Sequence, residues 1–363
     1  MLVRVGIMDF YIIRIKDIYK ETDDTSVITF DIPDTLYSTF AFKQGQHLTL
    51  KADINGEDVR RSYSLCSCPS DNIWQVAVKQ IPGGKFSTFV NEKLKSGDTL
   101  ELMPPSGVFG VDIQPKKAKN YLFFAAGSGI TPVLSMLKAH LRAEPNSTCK
   151  LFYVNKTAKS IIFKEELEQL RNTYFGRLEI YYFLTKERRD IELFNGRFDE
   201  EKMQILTKTF IDVPDTDDVF LCGPESMINF VSDYLINSGL SKDLIHFELF
   251  VKGLSEEDIK RAERLSKQNV EGTEVVIVDG GKEFLFTMTK EFDNILDAAL
   301  NAGADLPFAC KGGVCSTCKC EVKEGAVEMK INYALDEKEV SQNLVLSCQA
   351  VPTTDKVVVD FDV

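Results

Sequence analysis

Tyr121-Leu-Phe-Phe-Ala-Ala126 followed by Gly127-Ser128-Gly129-Ile130-Thr131-Pro132 is the stretch on which the fold turns. Six residues with no charge among them make a strand, two glycines turn the chain, and apolar residues recur at helical spacing over Pro132–Arg142. Gly127 and Gly129 let the backbone approach a dinucleotide, and Thr131 is expected to cap the helix that faces it. The pattern is not G-x-G-x-x-G. Outward from it, strands are expected at Lys150–Val154, Leu178–Leu184 and Asp218–Cys222, with helices at Phe163–Asn172 and Glu225–Ser238. Strand and helix alternate at the spacing of an α/β doubly wound parallel sheet over residues 118–250. Ligands of such sheets bind where strands end, which singles out Cys222-Gly223-Pro224.

Before this region the texture changes. Short β-type runs at Ser26–Ile32, His47–Ala52, Ser62–Cys66, Trp74–Lys79 and Thr99–Met103 are punctuated by Gly45, Asn55-Gly56, Gly83-Gly84 and Gly97-Asp98. That reads as an antiparallel β-barrel over residues 9–113. After it, residues 251–272 are dominated by charge and read as a linker carrying at most one solvated helix. Strands then return at Glu274–Asp279, Glu283–Thr289 and Lys356–Phe361 with a helix at Asn294–Asn301, a compact α+β domain over residues 273–363. A length of 363 residues suits two or three domains, and 44% apolar with 27% charged residues suits a soluble globular chain. A net charge of −12 makes nucleic acid and anionic membrane poor partners. No run approaches the ~18–20 apolar residues of a membrane span. Met1–Met8 is too short for a signal peptide, so a cytoplasmic location is expected; Met8 is an alternative start.

The chain has nine cysteines, expected as thiols or metal ligands in a reducing compartment. Cys310-Lys-Gly-Gly-Val-Cys315-Ser-Thr-Cys318 is C-x₄-C-x₂-C, and 29 residues separate Cys318 from Cys348. This is the spacing that holds a plant-type [2Fe–2S] cluster. Each iron needs two thiolates, so one loop must wrap three sulfurs around a small cluster, and Gly312 and Gly313 let it curl. Four unliganded thiols are one alternative. Zinc is another, but it usually takes two C-x₂-C steps, and only one is present. Cys320 reads as a non-ligand, and Cys66, Cys68 and Cys149 as structural. His47, His140 and His246 lack metal-ligand spacing.

Arg61-Ser62-Tyr63-Ser64 resembles the R-x-Y-S motif of the ferredoxin–NADP+ reductase family. Alternation along a strand puts Arg61 and Tyr63 on one side. The Arg61 fork suits a flavin phosphate and the Tyr63 ring an isoalloxazine face. The resemblance places Ser64 at the flavin ring near its reactive nitrogen. Gly83-Gly84-Lys85-Phe86-Ser87-Thr88 follows, a glycine-rich loop opening a helix from Ser87 to Leu94 whose amino end favours pyrophosphate. A plain hairpin turn with Ser87 as cap is the simpler alternative. Pro105-Ser-Gly107-Val-Phe109 matches the family's P-x-G-x-F element. The order implies FAD rather than FMN, with Lys79, Gly84, Lys85, Phe86 and Ser87 about it. Gly127-Ser-Gly129-Ile-Thr131-Pro132 resembles the family's G-x-G-I-T-P variant. In the family, the cysteine equivalent to Cys222 lies beside the nicotinamide. Glu248-Leu-Phe250 resembles the E-x-aromatic ending, where the aromatic covers the flavin. Asn155-Lys156-Thr157 falls where the family reads the adenosine ribose, so Lys156 suits a 2′-phosphate and NADPH, with NADH as the alternative.

The last domain is similar to a plant-type ferredoxin, which implies a β-grasp. A dihydroorotate dehydrogenase electron-transfer subunit has its last cysteine closer to the others. The order flavin, nicotinamide, ferredoxin, and Tyr153-Val-Asn-Lys-Thr with Ile161-Ile-Phe-Lys-Glu-Glu-Leu, are similar to phenylacetyl-CoA epoxidase reductase subunits. The resemblance implies an NAD(P)H-dependent oxidoreductase passing electrons through FAD and a [2Fe–2S] cluster to a terminal oxygenase or other one-electron acceptor protein. Such a role belongs to phenylacetate catabolism. A reductase for another oxygenase or for an acyl desaturase or hydroxylase is one alternative. A redox-sensing module that does not turn over is another.

Overall fold

The computed structural model describes residues 10–250, 260–262, 264–265 and 272–363. The described residues form two compact units, one of Tyr11–Val59 with residues 63–250, the other of the described residues from 260 onward with Phe10 and Arg60–Ser62.

The first unit opens with β1 (Tyr11–Thr22), β2 (Thr25–Asp31), β3 (His47–Ile54), β4 (Glu57–Ser64), β5 (Trp74–Lys79), helix α1 (Lys85–Glu92) and β6 (Thr99–Leu102). In β1, Ile13 and Ile15 are buried while Ile12, Arg14 and Lys16 face out, the period-two pattern of a half-buried strand. The strands lie in the order β4-β3-β6-β1-β2-β5, and the Leu65–Val76 bridge joins the two outer strands. The sheet thereby closes on itself around Ile28, Phe40, Leu48, Leu50 and Val76, as the barrel reading expects. Burying each such side chain stabilises by about 1.5–3 kcal/mol. The Trp74 indole donates to the Phe40 carbonyl at 2.6 Å, so its one polar atom is satisfied inside that core.

The same unit continues with β7 (Asn120–Ala126), α2 (Ile130–Ala143), β8 (Thr148–Asn155), α3 (Lys164–Thr173), β9 (Leu178–Leu184), α4 (Glu200–Thr209), β10 (Asp218–Gly223), α5 (Glu225–Asn237) and β11 (Ile245–Leu249). All five strands run parallel in the order β11-β10-β7-β8-β9. The strand order reverses between β7 and β10, so a crevice opens at their carboxyl ends.

The second unit holds β12 (Glu274–Asp279), β13 (Lys282–Thr287), α6 (Ile295–Asn301), β14 (Lys319–Glu324), β15 (Val327–Met329), α7 (Glu337–Ser341), β16 (Leu344–Leu346), β17 (Ala350–Pro352) and β18 (Lys356–Asp360). A mixed sheet β13-β12-β18-β14-β16 buries Ile295, Leu296 and Ala299 of α6 against Val275, Ile277, Val357 and Val359. Asn294 caps α6 through its side chain, accepting from Asp297 N at 2.8 Å.

Three local readings need correction. Thr131 does not cap α2: the cap position is Gly129, and the Thr131 hydroxyl donates to the Ser128 carbonyl at 3.1 Å from inside the first turn. Helix α1 begins at Lys85 rather than Ser87, because Ser87 folds its hydroxyl back to accept from Ile81 N at 3.2 Å. In the stretch read as a solvated linker, residues 260–262 and 264–265 are helical, with Leu265 fully buried and Arg264 paired to Glu328 at 3.0 Å.

Candidate functional site

β4 delivers Ser64 to the carboxyl edge of the parallel sheet. Its hydroxyl donates to Glu248 Oε2 at 2.9 Å. Glu248 stands in β11 opposite Cys222 of β10, and Cys222 opposite Ala125 of β7. Three of the residues singled out from sequence are thus brought together from positions up to 184 residues apart. Ser64 is 4% exposed and Cys222 is fully buried. Burial pushes the Cys222 thiol well above its usual range, and the nearby Glu248 charge adds to the effect. Cys222 is therefore a neutral thiol. Phe250 is half-buried and packs against the core cluster of the parallel sheet.

The glycine turn lies directly on this edge. A Cβ on Gly129 would sit 2.1 Å from the Cys222 carbonyl oxygen, so only glycine lets the two segments touch. Beside it, Gly127 has open space where a side chain would be, which leaves room for a ligand against the backbone. The Gly127 carbonyl accepts from the Tyr153 hydroxyl at 2.9 Å, holding the turn to β8. Pro132 is buried in the first turn of α2, Gly223 ends β10, and Pro224 caps α5. Lys156 is exposed just past β8, its carbonyl accepting from Lys186 N at 2.8 Å. Glu187 reaches the same loop and accepts from Ala158 N at 2.8 Å. Sequence reasoning passed over Tyr153 and Glu187. Tyr153 carried a signal, a hydroxyl near the end of an otherwise apolar strand, whereas Glu187 sits in a charged loop with none.

On the barrel, α1 follows Gly84 at its cap position with no side-chain cap bond, which leaves amide donors and the positive end of the helix for a ligand. Phe86 is buried under Tyr63, ring centroids 5.8 Å apart and planes tilted by 33°. Lys85 pairs with Glu57 at 2.5 Å, and Lys79 with Asp24 at 3.5 Å. Arg61 is exposed and donates to the Arg60 carbonyl at 2.6 Å. An uncapped helix amino end beside a half-buried aromatic fits a pyrophosphate joined to a planar ring system.

In the second unit, the loop before β14 carries Cys310, Cys315 and Cys318, and the turn after β16 carries Cys348. Cys310 is half-buried and the other three are buried. Gly312 N donates to Cys310 Sγ at 3.3 Å and Gln349 Nε2 to Cys348 Sγ at 3.5 Å. Ser347 ties the two segments together, its amide and its hydroxyl each 3.0 Å from the Cys318 carbonyl. Gly313 has φ +75° with Ile331 at 3.0 Å from where a Cβ would be, so the loop's curl needs glycine there. The sulfurs interact as two pairs. The bond to Cys315 and then burial raise the Cys310 thiol, and the bond to Cys348 and then burial raise Cys318. Among the described residues no three His, Cys, Asp or Glu side chains converge on a single-ion site. Two pairs of sulfurs drawn from a C-x₄-C-x₂-C loop and one later turn fit a two-iron cluster better than the two C-x₂-C steps that zinc usually takes. Cys320 is buried in β14 opposite Val345.

The three histidines each lie beside a polar side chain. His47 lies 3.2 Å from the Ser106 hydroxyl, His140 3.2 Å from Glu144, and His246 2.9 Å from Asp218. Cys66 bonds to the Gln75 carbonyl at 3.2 Å, and burial pushes its pKa up to about 12.

Comparison with known proteins agrees with this layout. Residues 13–110 match the oxidoreductase FAD-binding domain, residues 123–233 the oxidoreductase NAD-binding domain, and residues 278–353 the 2Fe-2S iron-sulfur cluster binding domain. The chain is 40% identical over 353 residues to a 1,2-phenylacetyl-CoA epoxidase subunit of Escherichia coli, covering 97% of this chain and 98% of that one. It is 33% identical to the ferredoxin reductase component of 3-ketosteroid-9-alpha-monooxygenase of Rhodococcus rhodochrous, covering 96% of each. Phthalate dioxygenase reductase shares the fold, with TM-score 0.60 and 24% identity over 97% of this chain and 98% of that structure. Among the described residues no helix is long and apolar enough to cross a membrane.

Proposed function

The chain belongs to the ferredoxin–NADP+ reductase family of flavin and iron–sulfur oxidoreductases, and from that premise we propose that its acceptor is a terminal oxygenase of the phenylacetyl-CoA epoxidase type. The observation that supports this choice is the end-to-end likeness to one component of such an enzyme. Bound flavin exchanges a hydride for single electrons, and a [2Fe–2S] cluster carries them singly to an acceptor that takes one at a time.

The chain's residues bind and orient around that exchange. The α1 amino end would meet the flavin pyrophosphate, Tyr63 would line the ring, and the Ser64 hydroxyl, whose one hydrogen goes to Glu248, presents its oxygen as an acceptor at a fixed place. Gly127 and Gly129 admit the nicotinamide nucleotide, and Cys222 fills the space behind its ring. Phe250 covers the flavin face until the nicotinamide displaces it. Lys156 meets the 2′-phosphate of NADPH. Cys310, Cys315, Cys318 and Cys348 would hold the cluster, supplying the two thiolates that each iron needs. No side chain is needed as a nucleophile.

The test is reconstitution. The purified protein with FAD, iron and NADPH is mixed with a phenylacetyl-CoA epoxidase oxygenase, and substrate-dependent oxygen uptake is followed. Uptake coupled to NADPH is expected. Rapid ferricyanide reduction with no coupling to the epoxidase, but coupling to another oxygenase, would replace the proposed acceptor. The 33% identity to the ferredoxin reductase component of a 3-ketosteroid-9-alpha-monooxygenase favours another monooxygenase as the second reading. Absence of steady ferricyanide or cytochrome c reduction would reject both.

A further inference from the structure

Helix α2 is bolted to the strand exit that follows Ser64. Ser135, Lys138 and Arg142 fall at i, i+3 and i+7, on one face of the helix. The Ser135 hydroxyl donates to the Ser67 carbonyl at 2.7 Å. The Lys138 ammonium donates to the Cys66 carbonyl at 3.2 Å and pairs with Glu166 of α3 at 2.5 Å. Arg142 bonds to Asp71 and reaches the Ser70 hydroxyl at 3.4 Å. At its other end the same helix begins at Gly129, against the Cys222 carbonyl. One rigid element therefore touches the nucleotide turn, the backbone two and three residues beyond Ser64, and the side chains of Ser70 and Asp71.

A buried ammonium is an expensive way to fill this place. The Lys138 side chain is 7% exposed and Ser135 is fully buried. Burying a charge opposes folding unless it is paired, and an apolar residue of similar size is often as stable or more so. What lysine adds here is direction, since its three donors fix α2, α3 and the Cys66 carbonyl to one another. We infer that Lys138, with Ser135, is a positioning residue that sets the distance between the Ser64 hydroxyl and the nucleotide turn, and so the stacking of nicotinamide on flavin. It acts through Cys66 and Ser67 and touches neither reactant. The inference rests on the reading of Ser64, Cys222 and Glu248 as the hydride-transfer site.

Lys138→Met keeps the stem and removes the donors; Ser135→Ala removes one hydroxyl and leaves the Lys138 pair in place. Each variant, loaded with FAD, is titrated anaerobically with NADP+ and NADPH. Three quantities are read: nucleotide Kd, the long-wavelength absorbance of the stacked flavin–nicotinamide pair, and amide hydrogen exchange over residues 65–68. Flavin reduction is then followed by stopped flow. We expect unchanged FAD content and Kd within twofold, faster exchange over 65–68, most of the long-wavelength band lost, and reduction about tenfold slower for Lys138→Met, since misplacements near 1 Å can cost up to ~10²-fold. Ser135→Ala is expected to follow at about threefold, and it decides the matter alone if Lys138→Met does not fold. A band and reduction rate within twofold of wild type in folded variants would overturn the inference. So would loss of FAD in step with loss of rate, which marks a purely structural role. A wild type whose bound FAD no nicotinamide nucleotide reduces would sink the hydride-transfer reading and this inference with it.

Discussion

Replacing Gly129 with alanine adds one methyl group where the backbone of another strand already stands. Gly129 has φ −61° and ψ −6°, a conformation alanine adopts freely, so the substitution brings no backbone penalty of its own. The new Cβ would lie 2.1 Å from the Cys222 carbonyl oxygen, 2.6 Å from its carbon and 3.1 Å from Gly223 N, against an ordinary contact that begins at 3.4 Å. All three are backbone atoms of β10, so no side chain can swing aside. The nucleotide turn must move off the strand end by a little over ~1 Å. A misplacement of that size can cost about 10²-fold in a reaction that depends on alignment, which is ~2.7 kcal/mol of barrier. Anaerobic stopped flow with NADPH, following flavin absorbance, should show reduction slowed by that order. FAD and iron content should stay at wild-type levels, because neither the barrel core nor the second unit contains the altered contact. A reduction rate within threefold of wild type, at full FAD loading and unchanged nucleotide Kd, would refute the idea that this close approach sets the hydride geometry.

Three further outcomes follow from named contacts. Cys318→Ser should abolish the iron–sulfur absorbance while flavin reduction stays within twofold, since the cysteines belong to a core separate from the flavin and nucleotide cores; loss of both would show the units are not modular. Lys156→Ala should raise the KM for NADPH about tenfold and leave NADH nearly unchanged, from the ~1.5–3 kcal/mol of a hydrogen bond to a charged group, and the gap should narrow with salt; equal changes for both nucleotides would reject Lys156 and turn attention to Lys159 and Lys164, Arg177 being bonded to the Leu141, Glu144 and Ser147 carbonyls at the other edge of the sheet. Asp218→Asn should lower stability at pH 7 by about 1–3 kcal/mol. Burial pushes Asp218 up, but the bonds from His246 and Lys119, each at 2.9 Å, outweigh it and hold the carboxyl below its usual value. A depressed folded value stabilises above the ordinary carboxylate range and is lost as pH falls through it, so melting curves of variant and wild type should converge in acid; a difference in Tm unchanged down to pH 3 would exclude the charge as its source.

The parts of the fold legible in the sequence are those where one physical rule acts alone. Trp74–Lys79, Leu178–Leu184 and Glu274–Asp279 are strands at the residues expected, because apolar runs in a buried sheet need no other signal. β4 was expected at Ser62–Cys66 and spans Glu57–Ser64. Its Glu-Asp-Val-Arg-Arg start is polar, and only its barrel neighbours make it a strand. Helix α4 left no mark, since Met203 and Leu206 are its only buried residues. β15, β16 and β17 have three residues each, too few for a period to show. At the site, glycines and cysteines were legible because their chemistry is local. The grip of Ser135 and Lys138 on Ser67 and Cys66 was not, because a lysine on an apolar helix face reads as solvated until the partner strand is known.

Cys222 shows how structure changes the meaning of a motif residue. A cysteine at the end of the last long parallel strand, beside the proposed nucleotide turn, invites a reactive role, and reactivity requires a thiolate. Burial raises its pKa first and the Glu248 charge raises it further, and both effects favour the neutral form. No cation is among the influences on it, in contrast to Cys66, whose burial is partly offset by Lys138. The groups around Cys222 are Ala125, Glu248 and the turn at Gly129. Its working parts are then its volume and its carbonyl, the surface on which Gly129 rests. The neighbouring Glu248 needs a donor near this closed edge, and Ser64 provides it. On the proposed reading, a protonated thiol, an acceptor satisfied by a hydroxyl and a turn pressed on a carbonyl make a surface suited to aligning two rings, with electron movement left to the cofactors.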